Sequence, residues 1–187
     1  MCKLTKFERL QLINQFSILK ELSDDEFTKD DFETKIKILE NGFERRYADL
    51  TDYLSEPMAE EECVFVNDVL DFYEDVHFSF NKLDDKDKTD VLNRKVKFKG
   101  FDLNDSRQSR LYSYADFMIN DYGGWNYLKQ LVDINEIEIN SHGSEVPESQ
   151  LKGYLERYKT VRNNKLSNHN VKDYLTKEEL ESIFDIK

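Results

Sequence analysis

The chain has 187 residues, enough for one ordinary domain and short for two full ones. Lys and Arg number 27 against 39 Asp and Glu, a net charge of −12, and such a surface repels the phosphate backbones whose neutralisation dominates nucleic-acid affinity. Thirteen Phe, ten Tyr and one Trp argue against disorder, while only six Gly and two Pro leave few residues to punctuate sheets, so the composition points to a folded, acidic, mainly helical domain without nucleic-acid partners.

Thr5-Lys6-Phe7-Glu8 reads as a capping box opening a helix to about Leu22, with Phe7, Leu10, Leu12, Ile13, Phe16 and Leu19 as a wide apolar stripe. The same stretch is broken by Lys3, Lys6, Glu8, Arg9, Lys20 and Glu21, so no export signal is expected there. Phe32, Ile36, Leu39 and Phe43 mark a second helix with Asn41-Gly42 as its terminator, and Arg45 to Leu54 continues as a shorter helical piece. The strongest periodicity runs from Met58 to Leu83 through Val66, Val69, Tyr73, Val76, Phe80 and Leu83. Cys63, Phe65, Leu70 and Phe72 add apolar surface elsewhere on that helix, which is therefore expected to be central, with neighbours on more than one face. Asp84 to Lys88 is a charged connection.

Lys95-Val96-Lys97-Phe98-Lys99 alternates polar and apolar as a strand does, followed by Gly100, the single extended exception, near residues 95–101. Asn104 or Asp105 can cap a helix through Leu111, Tyr114, Ala115, Met118 and Ile119, ending near Gly123-Gly124. Ile134 to Ile139 is ambiguous, and Ser141 to Pro147 is a loop. A helix from Glu148 to about Val161 and a polar loop from Asn163 to Asn170 follow, and Thr176-Lys177-Glu178-Glu179 opens a short final helix through a second capping box. The expected architecture is a single multi-helix bundle over residues 1–187, with about six to eight helices.

In their order these features resemble the YfbU family. The resemblance rests on Arg9-Leu10 and Asn14-Gln15-Phe16 in the first helix, Asp68, His77 and Ser79 in the long one, and Phe98-x-Gly100-Phe101-Asp102. Arg110, Tyr114, Phe117-Met118 and Asn120 extend it, over roughly residues 4 to 120 with an echo in the last helix. It departs at Asp102 to Arg110, which looks slightly long, and at Ser141 to Asn170. The resemblance implies a mainly helical, cytoplasmic bacterial protein of uncharacterised biochemical activity.

Glu74-Asp75-Val76-His77 is an E-x-x-H with Asp71 one turn earlier. An i, i+3 pair on a helix aims a carboxylate and an imidazole at one point, as dimetal carboxylate bundles do, but those sites need two copies and two further Glu. Neither His142 nor His169 has a Glu three positions before it, so no metal is expected, and no cofactor. Asp71, Glu74 and His77 read either as bundle hydrogen bonds or as a ligand or proton-responsive cluster, because an imidazole beside a carboxylate titrates near neutral pH. Phe98, Gly100, Phe101 and Asp102 form either a contact loop or a hydrophobic plug. Arg9, Asn14 and Arg110 could line a shared groove or serve structural hydrogen bonds.

There is no G-x-S-x-G elbow, no P-loop, no C-x-x-C and no apolar run long enough to span a bilayer. The expectation is therefore a cytoplasmic, non-enzymatic module that self-associates as a homo-oligomer or binds a protein partner. The alternative is an enzyme or small-ligand binder around His77.

Overall fold

The computed structural model describes residues 3–167 and 174–186. His169 and the end of the expected Asn163–Asn170 loop lie outside them. Among the described residues there are eight α-helices, three shorter 3-10 or π segments and no sheet, so the mainly helical class holds, and with the shorter segments counted the expected six to eight helices run slightly low. None of these helices is long and apolar enough to cross a membrane. Contacts group the chain into two compact units, Met1–Pro57 and Met58–Lys187.

In the first unit, α1 (Lys6–Leu22) and α2 (Glu26–Asn41) form a hairpin, followed by a 3-10 helix over Glu44–Leu50. Thr5 and Glu8 make the reciprocal bonds of the expected capping box: the Thr5 amide donates to Glu8 Oε2 at 2.7 Å, and the Glu8 amide to Thr5 Oγ1 at 3.2 Å. Asp25 caps α2, and Gly42 ends it in the left-handed region at φ 66°, where its amide donates back to the last turn. Ile38, Leu39, Tyr47 and Leu50 make a small core, lined by Leu4, Leu12, Ile13 and Phe16.

In the second unit, α3 (Glu60–Asn81) is the centre. It buries Val66, Val69, Leu70, Phe72, Tyr73, Val76 and Phe80 among its 22 residues, as a helix does when it is covered on several sides. Around it lie α4 (Asp90–Val96), α5 (Gln108–Asp116), a π-helical segment (Phe117–Tyr122), α6 (Asn126–Asp133), α7 (Glu148–Ser167) and α8 (Lys177–Phe184). The second capping box, at Thr176 and Glu179, forms as expected.

The expected extended segment at Lys95–Lys99 is not a strand. Thr89 Oγ1 accepts from the Leu92 amide and starts α4, which carries Leu92 and Val96 four residues apart into the core. Phe98 then enters the same core from coil. What remains of extended pairing is one parallel bridge between Phe101 and Asn140: the Phe101 amide donates to Ile139 O at 2.9 Å and the Ser141 amide to Phe101 O at 3.1 Å. Helix α6 stands in a stretch with no expected helix, and α7 runs through Ser167, past the expected end near Val161.

Candidate functional site

Asp71, Glu74 and His77 follow at i, i+3 and i+6 on α3, and this row meets the start of α6. Trp125 Nε1 donates to Asp71 Oδ1 at 2.8 Å. The Glu74 carboxylate accepts from the amides of Tyr127 and Leu128. Those are second and third residues of a helix whose own cap, Trp125, supplies no side-chain acceptor, so a residue of another helix fills the capping role. His77 is buried, with Nδ1 2.9 Å from the Tyr127 hydroxyl, and Asn81 Nδ2 lies 3.0 Å from that hydroxyl and 3.2 Å from Nδ1. The consistent assignment has Tyr127 donating to Nδ1 and Asn81 donating to the phenol oxygen.

Burial shifts two groups of this row, His77 and Glu74. It lowers the His77 imidazole below its ordinary value, with Glu136 opposing and Lys97 assisting, and it raises the Glu74 carboxyl despite the two amides that favour its charge. Both shifts favour neutral groups, a neutral base beside a carboxyl reluctant to ionise.

A neighbouring face of α3, one turn on from Asp71, carries a second polar row built on Asp68, Asp75 and Ser79, whose partners on α7 and at Leu175 the sequence did not single out. Tyr158 donates to Asp75 Oδ2 at 2.7 Å, the Arg162 guanidinium forms an ion pair with the same carboxylate through Nε and Nη2, and Ser79 Oγ accepts from the Leu175 amide at 2.8 Å. Burial, and then the charge of Asp75, push the Tyr158 phenol well above its usual range. Lys159 and Asp68 pair at 2.6 Å further along. The available signal was the run of Tyr154, Tyr158 and Arg162 on α7, whose polar tips need partners once their stems are buried.

Asn14 is exposed on α1. Arg9, on the same helix, donates through Nη1 to Leu39 O at 2.9 Å, satisfying a carbonyl at the end of α2. A Cβ on Gly42 would come within 2.7 Å of that guanidinium nitrogen. Arg110 belongs to the other unit and faces Glu62 at 3.7 Å. Phe98 and Phe101 are buried in the core, packed edge to face with centroids 5.5 Å apart. Gly100, at φ 77°, lies so close to Ile139 that a Cβ would collide with the carbonyl there. Asp102 Oδ1 accepts from the Asn104 amide and turns the chain towards α5.

A groove of about 470 Å³ runs between α3 and α7, with Val64, Phe65 and Leu155 as its apolar lining and Lys152 and Lys159 among its charges. Among the described residues no group of three or more His, Cys, Asp or Glu is placed to hold a metal ion.

The family model of the YfbU domain matches residues 2–185, reaching across the stretches at 102–110 and 141–170 where the sequence resemblance weakens. The UPF0304 protein MJECS11 of Methanocaldococcus jannaschii is 30% identical over 139 residues, which cover 74% of this chain and 79% of that protein. The chain belongs to the YfbU family.

Proposed function

We propose that the chain is a non-enzymatic helical module that works by association, with a second copy of itself or with another protein. The observation that carries this reading is the exposure of α1. That helix buries none of its 17 residues, yet Phe7 is 68% exposed, Leu10 53%, Ile18 60% and Leu22 74%, and Phe27 at the start of α2 is 83% exposed. Scattered apolar residues on a surface need no explanation, but several large ones along one helix face mark an interaction surface. The alternative, a ligand site around His77, finds less support, because Asp71, Glu74 and His77 already hold Trp125 and the first turn of α6. The net charge of −12 favours protein over nucleic-acid partners and suits a cytoplasmic setting.

Light scattering on the purified protein tests the reading. A mass of twice the 22.3 kDa chain, or capture of a defined protein partner, is the expected result. A strict monomer that binds no protein contradicts it. The alternative makes its own forecast: His77→Ala would lose a thermal shift that a metal or metabolite gives the parent.

A further inference from the structure

Helix α1 has two apolar sides. Leu12, Ile13 and Phe16 pack on the core of the first unit. Phe7, Leu10, Asn14, Ile18 and Leu22, at steps of three, four, four and four, form a second stripe, every member of which is exposed. A stripe of this spacing stays on one face for the whole helix, roughly 22 Å between its ends at 1.5 Å per residue.

The order of residues along the stripe is close to a palindrome about Asn14. Leu10 and Ile18 stand four residues to either side, and Phe7 and Leu22 stand seven before and eight after. Lys6 and Glu21 flank the same ends with opposite charge, and neither makes an ion pair among the described residues. A two-fold interface is self-complementary: if residue i meets residue j, then j meets i. A helix face that reads the same in both directions is suited to pairing with itself in antiparallel.

We infer that α1 pairs antiparallel with α1 of a second copy about a two-fold axis at Asn14. This inference rests on the association reading above and makes it specific. Leu10 meets the second copy's Ile18, and Phe7 meets the region of its Leu22, each contact occurring twice. The two Asn14 amides face each other at the axis, where one polar pair in an apolar seam fixes register and orientation. Lys6 lies beside the second copy's Glu21. Parallel pairing would instead set Lys6 on Lys6 and Glu21 on Glu21, and like charges across an interface disfavour that arrangement. The charge pattern thus selects the antiparallel orientation, and the near-palindrome selects a second copy over an unrelated helix.

The test is cross-linking of Asn14→Cys in a Cys2→Ser, Cys63→Ala background, with Glu40→Cys on the exposed side of α2 as control. It is run beside light scattering of the parent and of a Leu10→Glu, Ile18→Glu double variant whose helicity is checked by circular dichroism. The expected result is a dimeric parent, efficient covalent dimer from Asn14→Cys with a short bismaleimide, little from Glu40→Cys, and a folded double variant whose dimer dissociation constant rises at least tenfold. A dimeric parent in which Asn14→Cys gives no more covalent dimer than the control, or in which the folded double variant stays dimeric, overturns the α1 pairing and leaves association by another surface standing. A parent that is monomeric and binds no protein overturns both.

Discussion

Helices α1 and α3 announce themselves in the same way, through apolar residues at steps of three and four, and end in opposite situations. α3 buries nine of its residues and is covered on several sides, by α6 on one and by α7 and α8 on another. α1 buries none and shows large apolar side chains on its outer face. The hydrophobic effect scales with area removed from water, so the pattern is a source of stability on several sides of α3, whereas in α1 one side packs on a small core and the outer face stays exposed. Periodicity reports that a face is apolar, and only the neighbours decide whether it is covered.

The contrast is open to direct perturbation. Trp125 is the sole tryptophan and lies in the second unit, so its fluorescence follows that unit alone, while far-ultraviolet dichroism follows both. Phe72 is fully buried against Tyr73, Tyr154, Tyr158 and Phe184. Phe72→Ala should cost about 4 kcal/mol and move the Trp125 denaturation midpoint far to lower urea. Gly100→Ala comes next, at about 2 kcal/mol or more, because an alanine there must accept a left-handed φ and displace the Ile139 backbone. Thr5→Ala removes the cap of α1 and should destabilise the first unit by about 1 kcal/mol, seen as an earlier loss of far-ultraviolet helicity in urea.

The smallest effect is one of pH. The folded chain holds the His77 proton less tightly than the unfolded chain, whose imidazole titrates at its ordinary 6.5. The contribution of His77 to stability is therefore complete above pH 6.5 and declines as pH falls from there through its lower folded value. Glu74 runs the other way: its raised carboxyl favours the fold below 4.5 and loses that contribution as pH rises through the folded value. Between pH 7.5 and 5.5 the parent should lose stability relative to His77→Gln, so the gap between their Trp125 urea midpoints should change in favour of the variant. A gap that stays constant with pH would remove His77 as the source of that loss.

What was legible in the sequence is what is decided locally. The capping boxes at Thr5 and Thr176 need only residues three apart, and the glycine after α2 needs only its own φ. The start of α6 is held from outside, by Asp71, Glu74 and His77, some fifty residues away, and no local signal at Trp125 or Asn126 announces it. Val96 and Phe98 share the spacing of a strand, yet Val96 ends a helix begun by Thr89, and Phe98 reaches the core through coil. Of the candidate residues, Asp71, Glu74 and His77 do converge, on α6; Arg9 and Asn14 share a helix but look to opposite sides; and the aromatics of the Phe98–Asp102 loop turn inward. The Asp75, Tyr158 and Arg162 cluster joins residues more than eighty apart, a pairing only the fold discloses.

In the proposed pairing α3 is stabilised within its own chain while the outer face of α1 is completed by another. Hydrogen exchange of the backbone amides, read by mass spectrometry at a low and a high protein concentration, addresses it most directly. Protection of α1 should rise with concentration while that of α3 stays the same. Protection of α1 that is high and independent of concentration would contradict it.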